Sequence, residues 1–188
     1  MQRLIVAMLL LVILIGCRQQ QTTQPLTPSP INSIDSRKIE AIILKPFQNE
    51  QIQNLQMYPV AGLNEGMLFV YQLDSARGKA IGLLTGVETL GEFSIRSQSL
   101  DILGPQKPYG FYLSNDGGQP NYIGYGYIQH PETIKQLRII LSDGNSLVVT
   151  GNTITGLVMP KHNPPIRLEV VGIDGTIIEQ NPITLPTP

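Results

Sequence analysis

Gln136-Leu137-Arg138-Ile139-Ile140-Leu141-Ser142-Asp143-Gly144-Asn145-Ser146-Leu147-Val148-Val149-Thr150 is the stretch that decides the fold class. Leu137, Ile139 and Leu141 fall at every second position, so an extended chain turns all three to one face. Asp143-Gly144 then interrupts the run, and the apolar pattern resumes over 147–150. Asp-Gly between apolar strands is the strongest short-range hairpin signal, because the tight turn needs a positive φ that glycine adopts without steric cost. The stretch predicts a β-hairpin with one buried face.

The same grammar recurs outward from it. Arg167-Leu168-Glu169-Val170 alternates, and Asp174-Gly175 separates 168–173 from 176–178. The two segments read as two hairpins of one sandwich. Glu92-Phe93-Ser94-Ile95-Arg96 also alternates, with Phe93 and Ile95 on one face. Residues 67–71 and 80–84 are continuously apolar, as central strands are. Pro160, Pro164 and Pro165 mark a loop between Val158 and Ile166. Two stretches are helix candidates: 49–58, on Ile52 and Leu55, and a single turn over 131–136 that opens on Pro131. From Ile39 onward the pattern is otherwise β. About ten short strands with frequent turns predict an all-β chain, a single antiparallel β-sandwich over 39–181 with 182–188 as a tail. The rhythm over 122–178 resembles, loosely, the immunoglobulin-type sandwiches of bacterial envelope proteins. The Cys and Trp that mark true immunoglobulin domains are missing there.

Composition narrows the function classes. Net charge is −1, which gives no electrostatic footprint for nucleic acid. Charged residues make up 14%, well below the usual quarter, so much of the surface must be uncharged. A single cysteine allows no disulfide within the chain, and the fold has to rest on its core.

That cysteine, Cys17, has a telling context. Residues 4–15 are an unbroken apolar run preceded by Arg3. A bilayer core needs roughly 20 apolar residues in a helix, so this run is too short to span and matches the apolar middle of a secretory signal. Leu14-Ile15-Gly16-Cys17 closes it. That tetrapeptide resembles the lipobox of bacterial lipoproteins. The resemblance implies cleavage between Gly16 and Cys17, a leader over 1–16, and a diacylglycerol and fatty acid on the Cys17 sulfur. Two or more acyl chains hold a protein stably on a membrane. Arg18 follows the cysteine, whereas enteric lipoproteins retained in the inner membrane carry Asp at that place. The implied location is therefore lipid-anchored and extracytoplasmic, on the cell membrane or outer membrane. Residues 17–38, rich in Gln, Thr and Pro, lack the apolar content to fold and read as a tether. Such a tether reaches roughly 25 Å as a coil and about 60 Å when extended.

Chemistry-bearing residues are sparse elsewhere. Six of the eleven aromatics lie in one stretch: Tyr109, Phe111, Tyr112, Tyr122, Tyr125 and Tyr127. In Gly124-Tyr125-Gly126-Tyr127 both tyrosines project to one face of a strand. Tyr109, Tyr112, Tyr122, Tyr125 and Tyr127 are accordingly the candidate binding surface, for a glycan or an envelope protein, provided Tyr125 and Tyr127 are exposed. The competing reading is aromatic packing inside the sandwich, with glycines relieving crowding. Ser114-Asn115-Asp116-Gly117-Gly118-Gln119-Pro120-Asn121 is oxygen-rich but holds one carboxylate and lacks the EF-hand spacing, so it reads as a hairpin loop without metal. No nucleophile elbow, paired metal-ligating histidines or phosphate loop is present. The expectation is a lipid-anchored, non-enzymatic binding module with no cofactor beyond the lipid. The alternatives are a wall-glycan-binding accessory protein and a hydrolase assembled across loops with His130 or His162 as base. The last requires a carboxylate or hydroxyl beside one of those histidines in a cleft.

Overall fold

The computed structural model describes residues 21–22, 36–60, 66–90, 92–115 and 120–186. The leader, Gly16 and Cys17 lie outside the described residues, as does most of the expected tether. The described chain is an all-β antiparallel sandwich carrying one short helix. It comprises β1 (Gln21–Thr22), α1 (Ser36–Leu44) with a 3-10 turn (Lys45–Phe47), β2 (Gln53–Val60), β3 (Met67–Ser75), β4 (Gly78–Thr89) and β5 (Glu92–Leu103). Then follow β6 (Tyr109–Ser114), β7 (Asn121–Ile128), β8 (Ile134–Leu141), β9 (Ser146–Thr150), β10 (Thr155–Pro160), β11 (Pro165–Gly172) and β12 (Ile177–Pro182).

These strands form three sheets, ordered β2-β3-β4-β5, β10-β7-β6 and β1-β9-β8-β11-β12. They stack as layers, with the three-stranded sheet in the middle. Tyr58, Val70, Ile81 and Leu83 of the first sheet pack on Ile123, Tyr125 and Tyr127 of β7. On the other side Ile128, Leu157 and Met159 meet Leu137, Ile139, Val149, Leu168 and Val170 of the outer sheet. A third cluster lies beneath α1, where Ile39, Ile43 and Phe47 cover Phe69, Tyr71, Leu73 and Leu84.

Both Asp-Gly hairpins form, and their turns are built alike. Gly144 has φ 83° and Gly175 φ 85°. The amide of Gly144 donates to the Leu141 carbonyl at 2.9 Å, and that of Gly175 to Gly172 at 2.9 Å. In each, the Asp carboxylate also accepts the amide two residues on, Asn145 at 2.8 Å and Thr176 at 2.9 Å, which locks the loop. The runs 67–71 and 80–84 fall in β3 and β4, the two central strands of their sheet.

Several features depart from expectation. The segment beginning at Ile39 is helical, and the helix starts at Ser36, inside the expected tether. Its signal is the four-residue spacing of Ile39, Ile43 and Phe47, which stacks three apolar side chains on one face. Gln21 and Thr22 pair in parallel with Leu147 and Val148. The candidate helix at 49–58 is instead mostly strand β2, because Tyr58 and Val60 pack toward the middle sheet while Leu55 and Met57 pack toward α1. At the other end, Ile183 of the expected tail packs on the outer core and donates its amide to the Ile166 carbonyl at 3.0 Å. Phe93 and Ile95 do share a face. Only Phe93 reaches cover, edge-on to Phe69 at 6.1 Å, and Ile95 is exposed.

A polar tie crosses between the first and middle layers. Gln72 is buried, donates to Gln56 Oε1 at 2.7 Å and accepts the Ile154 amide at 3.0 Å. It meets the rule that a buried amide must find partners at both ends.

Close approach requires glycine at Gly82. A Cβ there would run into the Tyr71 ring and the Ser99 carbonyl oxygen. Gly104 has open space around that position. Gly82→Ala should lower unfolding free energy by about 2 kcal/mol, the usual cost of overpacking a core. Gly104→Ala should stay within about 0.5 kcal/mol of the parent. Urea midpoints at constant m-value check both, and equal effects at the two sites would contradict the packing assigned to Tyr71.

Candidate functional site

Of the five tyrosines expected to form a surface, two are buried outright. Tyr125 is 1% exposed and Tyr127 4%. Both face the first sheet, so the condition for an aromatic contact strip is not met. Gly124 and Gly126 do lie on the opposite face, but that face is covered too. A Cβ on Gly126 would come within 2.7 Å of Val149 in the outer sheet. Tyr112 is half-buried and stacks on Tyr125, with ring centroids 5.5 Å apart and planes at 20°. Tyr122 and Tyr109 are half-buried and pack on the outer core cluster. The aromatics are layer packing: large side chains fill one interface and glycines let the other close. Burial raises the pKa of the Tyr125 hydroxyl, with Asp101, Tyr71 and Tyr112 adding to it.

Tyr109 keeps an opening. With Lys107, Phe111, Leu168 and Glu179 it lines a shallow pocket of about 400 Å³ at the side of the stack. Its hydroxyl donates to Glu179 Oε1 at 3.0 Å. Burial first, then that bond to a carboxylate, push its pKa up to about 12.

The two histidines stand in different surroundings. His162 is exposed on the loop between β10 and β11. His130 does have a carboxylate in reach, with Nδ1 2.7 Å from Glu132 Oε1. Its Nε2 lies 3.0 Å from the Pro105 carbonyl oxygen. Protonated, the ring donates to both and fastens the β5–β6 loop to the turn before β8. With both nitrogens engaged, neither lone pair is aimed at a cleft.

The most developed polar constellation lies where sequence reading placed no site, on the outer face of the outer sheet. β8 and β11 pair so that Arg138 stands opposite Glu169 and Ile140 opposite Arg167. Glu169 is 3% exposed. Arg138 Nε donates to its Oε2 at 2.7 Å, and Arg167 Nε to its Oε1 at 2.9 Å. The Nη2 of each arginine makes a second contact with the same oxygen, at 2.5 and 2.8 Å. A buried carboxylate is thus held from both sides by charge-assisted bonds. The register shifts at Ile166, and this bulge leaves the Ile166 side chain exposed beside Arg167. Ile140, Ile166, Asn145 and Ser146 complete a groove of about 590 Å³.

The end of the groove is rigidified by loop bonds. Asn163 Oδ1 accepts from Ser142 Oγ at 2.8 Å and from the Asp143 amide at 3.1 Å. Asn163 Nδ2 donates to Asp143 Oδ2 at 2.8 Å, which ties the β8–β9 turn to the β10–β11 loop. Hydrogen bonds from the Asn145 amide and from the Asn145 and Asn163 side chains hold the Asp143 pKa below the usual carboxylate range.

Sequence reading correctly turned Leu137, Ile139 and Leu141 inward, which leaves Arg138 outward. The signal available was three charges on outward positions of two strands. Their meeting depends on β8 pairing with β11, and the chain passes through β9 and β10 before it makes that pair.

No protein-family model, curated protein or solved structure matches the chain.

The His130 clip has a pH signature. Glu132 first, then the Pro105 carbonyl, raise the His130 pKa. A raised folded-state pKa means the clip stabilises fully below the unfolded-state value and is lost as pH rises through the folded-state value. Glu132→Gln should lower the His130 midpoint in an NMR titration. An unchanged midpoint would mean that the Glu132 contact does not hold in solution.

Proposed function

We propose that this chain is a lipid-anchored extracytoplasmic lipoprotein whose sandwich domain is a non-enzymatic binding module of the cell envelope, using the groove over β8 and β11 as its contact surface. The anchored location rests on the sequence: the short apolar run over 4–15 and the lipobox-like Leu14-Ile15-Gly16-Cys17. On this reading Cys17 carries diacylglycerol and fatty acid.

The observation that carries the binding role is the clamped Glu169. Removing a carboxylate from water costs several kcal/mol, and apolar replacements of buried ion pairs are often as stable or more so. Core stability therefore does not call for this cluster. What the cluster supplies is a fixed pair of guanidinium groups in a concave surface, the kind of preorganised polar feature on which recognition depends. A non-catalytic role is supported by His130, whose two nitrogens are both engaged. The partner on this reading is another envelope component.

A second reading, wall-glycan binding, is favoured by the Tyr109 pocket. Tyr109 and Phe111 offer ring faces there, with Lys107 and Glu179 beside them. The two readings differ in which pocket responds to ligand.

Anchoring is tested by metabolic labelling with a radioactive fatty acid. The parent should take up label and fractionate with membranes. Cys17→Ser should lose the label entirely and appear as an uncleaved or soluble form. Label persisting in Cys17→Ser would defeat the lipoprotein assignment.

A further inference from the structure

We infer that the groove over β8 and β11 is an oxyanion site, taking a carboxylate or phosphate group on the outward edges of Arg138 and Arg167. This deepens the contact surface proposed above and rests on that reading. Each guanidinium meets Glu169 through its Nε and Nη2 edge. The geometry of the group then leaves the other edge, Nη1 with the second Nη2 proton, directed away from Glu169. Those edges are not sealed in. The side chains of Arg138 and Arg167 keep 29% and 38% of their exposure, whereas Glu169 keeps 4%.

Charge points the same way. The groove lining holds two cations and one anion, so one positive charge is unmatched. Asp143 on the adjoining turn keeps its charge, with its carboxylate held in the loop by Asn145 and Asn163 and outside the groove lining. Glu169 acts as a spacer: it fixes both arginines in one arrangement, so their side-chain entropy is already lost before a ligand arrives. Ser146 adds a hydroxyl on the near strand, and Ile140 and Ile166 give apolar walls. The ligand that fits is an anionic group attached to an apolar or neutral body. A phospholipid headgroup and a soluble envelope anion share that chemistry.

The test uses the full chain in a neutral detergent, at ionic strength fixed with chloride so that general screening stays constant. Inorganic phosphate, acetate, and mixed micelles of that detergent with phosphatidylglycerol or with phosphatidylcholine are titrated in turn. The readout is NMR of the arginine Nε–H groups and of the Asn145 and Ser146 amides. Saturable shifts confined to the groove are expected with at least one anion. A response to the small anions alone assigns a soluble ligand, and a response to phosphatidylglycerol alone assigns a headgroup.

Two variants move affinity in opposite directions. Ile166→Glu, at an exposed bulge, places a like charge on the wall and should weaken binding about tenfold, equivalent to ~1.4 kcal/mol. Ile166→Lys, at the same exposed bulge, leaves the Glu169 clamp intact, adds a cation to the wall and should tighten binding by a similar factor. No saturable response to any probe, or one unaltered by Ile166→Glu, overturns the oxyanion site. Loss of the anion response with fatty-acid labelling of Cys17 intact leaves the anchored protein standing. Loss of labelling with the response intact does the reverse.

Discussion

Strand β7 is covered on both faces, and the rest of the architecture follows from that constraint. A strand in an ordinary sandwich needs one apolar face. β7 instead sends Ile123, Tyr125 and Tyr127 toward the first sheet, while on its other side Gly126 lets Val149 of the outer sheet approach. The alternation of the largest and smallest side chains makes two interfaces of different depth from one strand. Three stacked sheets become possible where two were expected. The absence of tryptophan and disulfides is then less surprising, since a central layer contributes burial twice.

The two outer surfaces of the stack are finished differently. On the first sheet, α1 and the 3-10 turn after it lay Ile39, Ile43 and Phe47 over an apolar face, with Arg77 set 5.1 Å from the Phe47 ring centroid and paired to Glu50 at 2.7 Å. On the outer sheet the outward face carries a groove in which the Arg138–Glu169–Arg167 cluster lies beside the exposed Ile166. Its charged residues occupy the outward half of an alternation whose inward half builds the core. Fold and site are therefore read from the same strands, with period two dividing them between the jobs.

This division explains what the sequence disclosed. Strand identity, both Asp-Gly turns and the inward set Leu137, Ile139 and Leu141 are local properties, fixed within a few residues, and they were legible. The helix was harder, because Ile39-Glu40-Ala41-Ile42-Ile43-Leu44 is too short a window to separate period two from a four-residue spacing without Phe47. The tyrosine stretch was read correctly for side-chain direction, but the choice between contact surface and internal packing stayed open, since exposure depends on a third sheet that no local pattern announces. The Arg138–Glu169–Arg167 cluster was invisible for a related reason. It joins residues 31 apart in sequence across a pairing that skips two intervening strands.

Gln72 also governs how the first and middle sheets stack. Two apolar sheet faces attract without direction, so one can glide over another at little cost in contact area. The Ile154 amide reaching Gln72 at 3.0 Å forbids that glide, because a displacement of a single ångström would strand both groups away from water. One side-chain amide thereby converts a greasy, continuous set of offsets between layers into a single registered position.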